Sequence, residues 1–244
     1  LRRSRGLGDV YKRQVLFESS VCAGTPIIKL LFEELAANKI TKIAGMLNGT
    51  SNFILSNMEE GADFKPTLEL AQKEGYAEPD PTFDIEGMDA AHKIGILSSL
   101  AFGTTLPPED FYIEGISEIE KIDFKYAMEM GYTVKHLAVT KYNQGNIELR
   151  AHPVLIDSNS YLANLKSVRN GIEVETDLLG TLHIAGSGAG QESTASGVIS
   201  DIVHLANSNI NIAKKVALNK TNLVDFLTLS FQYYFYIEAE DIPG

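Results

Sequence analysis

The chain has 244 residues, 44% of them hydrophobic and 22% charged, and a formal net charge of −11. That balance is ordinary for a globular protein with a buried core, and the negative charge argues against nucleic acid or an anionic membrane as partner. No apolar run approaches the roughly 18 residues of a membrane span. A single cysteine, Cys22, excludes an internal disulfide and a cysteine metal cluster, so a reducing, cytoplasmic setting is the expectation.

Residues 1–14, LRRSRGLGDVYKRQ, carry five basic residues and one acid in an otherwise acidic chain. They lack the apolar core of a secretory signal and read as a non-native leader. Residues 15–38 predict a short strand, a tight loop of small residues and a helix. Thr25 is the expected N-cap, Pro26 suits the first turn and Asn38 the stop. Residues 39–48 predict a strand and 51–61 a helix. Between them, Asn48-Gly49-Thr50-Ser51 delivers side-chain oxygens and amides to a helix N-terminus. Such a terminus is usually just capped, but it can also hold an anion such as a carboxylate.

A further helix, PTLELAQKEG, leads into AQKEGYAEPDPTFDIEGMDAAHK, residues 71–93, around which the chain is organised. Pro79 and Pro81 stiffen a loop bearing Glu78, Asp80, Asp84 and Glu86. Gly87 then releases the chain into a helix over residues 88–102, on which Asp89 and Lys93 project from one face. A rigid acidic loop suits an ammonium group, and a nearby lysine suits proton transfer at an oxygen. The stretch also admits a surface ion pair beside a solvated loop and, less well because no calcium-loop spacing is present, a magnesium or calcium site.

Beyond Gly103, TTLPPEDFY reads as a turn and residues 123–130 as a short helix. Two β-rich runs flank a hairpin loop at Asn143–Asn146. Two more strand-like runs fill 168–176 and 179–186, followed by a glycine-rich turn and a helix. His92, His136, His152, His183 and His204 show no metal-ligand spacing and are assigned no chemistry. The pattern predicts an α+β fold: a mixed sheet of five or six strands with helices packed on one face.

The 71–93 stretch resembles the signature of the homoserine dehydrogenase family at Ala71, Gly75-Tyr76, Asp80-Pro81, Asp84-Ile85, Gly87, Asp89 and Lys93. The resemblance implies the interconversion of L-homoserine and L-aspartate 4-semialdehyde with NAD or NADP, in threonine, methionine and isoleucine biosynthesis. It implies Lys93 as proton donor or acceptor, Asp89 orienting it, Glu78 holding the substrate amine, and Asp84 and Thr50 completing the pocket. It implies Gly75 and Gly188 as cofactor contacts. FESSVCAGTPII is similar to the family's loop for a monovalent cation, sodium or potassium, which would fall on Glu18, Val21, Ala23 and Thr25. The helix after the glycine turn would pack on a nucleotide-binding domain.

Residues 15–207 would then be the catalytic, substrate-binding domain and 208–229 a linker. Residues 230–244, FQYYFYIEAEDIPG in the main, resemble the first strand of an ACT regulatory domain, badly packed without its sheet. The family's Rossmann domain is absent, so the chain reads as a fragment with little turnover alone, from a parent that is a homodimer or larger. The alternative is an amino-acid-binding or dimerisation module without redox chemistry.

Overall fold

The computed structural model describes residues 15–104, 110–207, 221–237 and 239. The 1–14 leader and most of the TTLPPEDFY turn lie outside them. The chain enters through a 3₁₀ turn, Glu18–Ser20, and then α1, a helical turn Ile27–Lys29 that continues as a π-helical turn, Leu30–Glu34. Strand β1 (Ile40–Met46) leads to α2 (Gly49–Glu59), α3 (Phe64–Lys73), the single turn α4 (Thr82–Ile85) and α5 (Met88–Phe102). After β2 (Tyr112–Ile113) and α6 (Lys121–Glu129) come the long strands β3 (Tyr132–Asn143) and β4 (Asn146–Asp157). Strands β5 (Arg169–Thr176) and β6 (Gly180–Ser187), α7 (Gln191–Asn207) and β7 (Asn222–Leu223) follow, with 3₁₀ turns at Leu162–Asn164 and Phe226–Thr228.

The sheet is mixed, as expected, and runs β2-β4-β3-β1-β5-β6, with β7 also on β4. Its five long strands pair antiparallel, while the two-residue strands β2 and β7 lie parallel to β4. Gln144 and Gly145, both with positive φ, close the β3–β4 hairpin. Two left-handed residues match the twist of the strands they join.

Strand pleating sends Ile43 and Ala138 to one face and Ala44, Val139 and Leu137 to the other. On the first face, Ala90, Ala91, Ile94 and Leu97 of α5 pack with Ile43, Ala138, Ile172 and Val174. Phe53, Ile54 and Met58 of α2 pack with Phe124 and Ala127 of α6 and Val134 of β3. The second face carries a smaller cluster, closed by Leu162 and Leu165 from a short 3₁₀ segment.

Two expectations fail at the start of the chain. No strand forms before α1: the segment coils into the Glu18–Ser20 turn, where Ser20 N–H donates to Phe17 O, and is tied down by Glu18. Glu18 N–H donates to Asp201 of α7, and the Glu18 carboxylate accepts from Ile28 and Lys29 N–H at 2.8 and 2.9 Å. Glu18 therefore caps α1 from ten residues upstream. Thr25 does not: its Oγ1 is buried without a hydrogen-bond partner, and Pro26 stands at the N-cap.

The segment read as linker is packed where it is described. Phe226 stacks on Tyr112 at 3.6 Å between ring centroids, and β7 pairs with β4. Residues 231–237 form no strand, and Phe235 and Ile237 are more than three-quarters exposed. No helix of the described residues is long and apolar enough to cross a membrane.

Candidate active site

Three turns meet at the head of α5. Gly87, at φ +81°, ends the acidic stretch and opens α5. A Cβ there would stand 3.0 Å from His136 Nε2 and 3.2 Å from the Glu114 carbonyl, so glycine is required by both angle and space. His136 is buried and its Nε2 lies 2.9 Å from Glu114 O. Burial holds its imidazole down to about 4, so it is neutral and donates to that carbonyl.

One turn into α5, Lys93 Nζ donates to Asp89 Oδ2 at 2.6 Å and to the Leu47 carbonyl at 2.9 Å. Both side chains are about one-fifth exposed, so the pair is partly withdrawn from water and still reachable. An ammonium has three N–H bonds, which leaves one for a substrate oxygen.

Asn48 organises the carboxylates. Its Oδ1 accepts from Ser51 N–H and so caps α2. Its two Nδ2 hydrogens go to Asp84 Oδ1 at 2.7 Å and Asp89 Oδ2 at 2.8 Å. Thr50 Oγ1 donates to Tyr76 O at 2.6 Å and lies 3.2 Å from Asp84 Oδ2. Ser51 Oγ donates to Asp84 O. The turn before α2 thus joins the two acidic residues that flank Gly87, and Asp84 belongs to the helical turn α4 rather than to open loop.

The structure brings together Lys93, Asp89, Asp84 and Thr50. Glu78 stands apart, exposed on the same loop, its carbonyl accepting from Gln72. Gly75 is also outside the cluster; its φ of +76° ends α3, and a Cβ there would meet nothing within 4 Å. In the sequence Asn48 belongs to a turn at a helix N-terminus. Its partners are 36 and 41 residues away, and no local spacing reports them.

The loop after Glu18 borders this cluster. Cys22 and Ala23 both hold left-handed φ, 55° and 35°, a strain of about 1–3 kcal/mol per residue. Thr25 N–H to Cys22 O and Gly24 N–H to Ser187 O hold the loop in place. Burial pushes the Cys22 thiol up to about 11, and the charges of Lys93 and Asp89 act on it too. It is therefore a protonated thiol and not a nucleophile. Burial also raises the Glu18 carboxyl against the lowering effect of the two backbone N–H groups.

Among the four residues matched to a cation loop, Thr25 Oγ1 is the orphaned buried oxygen and Glu18 already accepts two hydrogen bonds. No group of three or more His, Cys, Asp or Glu among the described residues is placed to hold a metal ion.

A lysine braced by a carboxylate and a carbonyl, with an acidic loop at its side, is an arrangement that can pass a proton to a neighbouring oxygen. The homoserine dehydrogenase family model matches residues 26–203. Homoserine dehydrogenase of Neisseria gonorrhoeae is 46% identical over 240 residues, covering 94% of this chain and 55% of the relative; that of Pseudomonas aeruginosa is 44% identical over the same shares. A crystal structure of a homoserine dehydrogenase from Thiobacillus denitrificans superposes with a TM-score of 0.81 at 44% identity, over 86% of this chain and 51% of that one. A hyperthermophilic archaeal homoserine dehydrogenase in complex with NADPH superposes at 0.70 and 32% identity, over 83% and 58%. The chain belongs to the homoserine dehydrogenase family, and it spans about half the length of the relatives it matches.

Proposed function

We propose that this chain supplies the substrate-binding and proton-transfer part of an NAD- or NADP-dependent homoserine dehydrogenase, interconverting L-homoserine and L-aspartate 4-semialdehyde. The carrying observation is Lys93, fixed by Asp89 and the Leu47 carbonyl with one N–H bond left over. In the reducing direction Lys93 donates that proton to the aldehyde oxygen as it gains electron density; in the oxidising direction the neutral amine takes the hydroxyl proton. Asp89 fixes the direction of Nζ, and Asn48 fixes Asp89. Asp84 and Thr50 wall the polar pocket, and exposed Glu78 reaches for the substrate ammonium.

The bound nicotinamide supplies hydride transfer to or from the substrate carbon. The Gly188–Gly190 turn and α7 would lie along its edge. Gly75 is a second, more exposed contact. On α7, Val198, Ile199, Ile202 and Val203 turn an apolar stripe outward, with Ile199 and Ile202 58% and 59% exposed. That stripe suits packing against a nucleotide-binding domain. Glu18, Val21, Ala23 and Thr25 would hold sodium or potassium, with Thr25 Oγ1 gaining a partner. The parent would be a cytoplasmic homo-oligomer.

The test is homoserine-dependent formation of NADH or NADPH by the full-length protein. Turnover with homoserine, and none with an amine-free hydroxy acid, supports the reading. Cofactor binding without turnover on homoserine would move the function to amino-acid binding.

A further inference from the structure

We propose that Asn170 is a positioning residue that sets the Gly188 turn in place against the acid–base cluster. This rests on the reading above, in which that turn faces the nicotinamide.

Asn170, the second residue of β5, is 1% exposed. Its Nδ2 donates to Cys22 Sγ at 3.3 Å. On its other side the amide presses on Gly188: a Cβ on that glycine would stand 1.8 Å from Asn170 Oδ1 and 2.0 Å from Cγ. A Cβ on Gly49 would lie 3.7 Å from the same Oδ1. One buried amide therefore lies beside three segments far apart in sequence. They are the loop after Glu18, the turn between Asn48 and Thr50, and the turn before α7.

Gly188 has no positive φ, unlike Gly190 in the same turn. Its glycine requirement is thus one of space, and Asn170 creates it. Oδ1 has no hydrogen-bond partner. The Gly188 hydrogen that takes the place of Cβ points at it, a weak C–H···O contact. The Nδ2 contact with Cys22 favours this orientation of the amide. Its neighbour Gly171 is pinned as well: a Cβ there would stand 2.1 Å from Leu165 Cδ1.

The functional link follows from what those segments carry. Gly49 lies between Asn48 and Thr50, which hold Asp84 and Asp89. Cys22 lies within the field of Lys93 and Asp89. Displacing Asn170 shifts the turn and the cluster relative to one another, and hydride and proton transfer need both in register.

The test is a double-variant cycle in the full-length protein: Gly188→Ala, Asn170→Ala, and both together. Three quantities are read: NADPH affinity by cofactor fluorescence, kcat with homoserine, and Tm. Gly188→Ala should weaken NADPH binding at least tenfold, or prevent folding. Asn170→Ala should weaken it a few-fold and lower kcat. The double variant, whose smaller side chain leaves room for the new Cβ, should fold and bind NADPH within a few-fold of Asn170→Ala, a strongly non-additive result. Additive losses would overturn the proposal while leaving the cofactor-facing reading intact. Rescue of Tm with NADPH affinity and kcat unmoved in every variant would sink the cofactor-facing reading instead, and the positioning role with it.

Discussion

At the residue scale the site depends on one amide. Asp84 and Asp89 are two carboxylates held together by Asn48, whose two N–H bonds each take one of them. Without that amide the carboxylates repel, and Asp89 is free to turn away from Lys93. Asn48→Ala should therefore lower kcat by about 10²-fold, the scale of a misplacement near 1 Å, and leave the KM for the cofactor nearly unchanged. Steady-state kinetics on the full-length protein checks the split. Asn48→Asp, which adds a third carboxylate, should be worse than the alanine variant. The sequence made Lys93 and Asp89 visible, because i,i+4 spacing on a helix is local. Asn48 was visible only as part of a capping or anion-binding helix terminus, because the partners that reveal its second task are supplied by folding.

At the element scale, α5 decides the geometry, and its position depends on His136 bracing Gly87 and Glu114. Burial takes the His136 imidazole from its ordinary 6.5 to about 4. Between those values the unfolded chain binds a proton that the folded one refuses. Stability therefore falls as pH drops from 6.5 toward 4 and levels off below, by about 3 kcal/mol in total for this group. Urea titrations at pH 6.5 and 4.5 should show the unsubstituted protein losing about 2 kcal/mol more than His136→Asn, once each is referred to its own value at pH 6.5. An equal loss in both would remove His136 from the account.

The bounds of α5 and the β3–β4 hairpin were legible, since apolar spacing and an Asn-Gln-Gly-Asn turn are local signals. The start of the chain was not. Glu18 caps α1 from a distance, and a capping carboxylate ten residues upstream looks like any other acid.

At the scale of the whole molecule, the mixed sheet was legible and the strand order was not. β1 pairs with both β3 and β5, and those long-range pairings leave no trace in local pattern. The two short parallel strands β2 and β7 were also invisible, being two residues each. The exposed stripe on α7 belongs to this scale, because the described residues leave it uncovered. Ile202→Glu should leave the Tm of this chain nearly unchanged, since exposed substitutions usually stay within about 0.5 kcal/mol. In the full-length protein it should lower both Tm and NADPH affinity. A variant that destabilises this chain alone would show that the stripe serves its own core.

The central claim is that Lys93 moves the proton. The most direct measurement is kcat for homoserine oxidation by the full-length protein with Lys93 intact and with Lys93→Ala, under saturating cofactor. A fall of about 10²-fold or more, with cofactor affinity preserved, is the result expected for loss of a proton-transfer group. Equal kcat in the two proteins would contradict the account and remove Lys93 from the reaction.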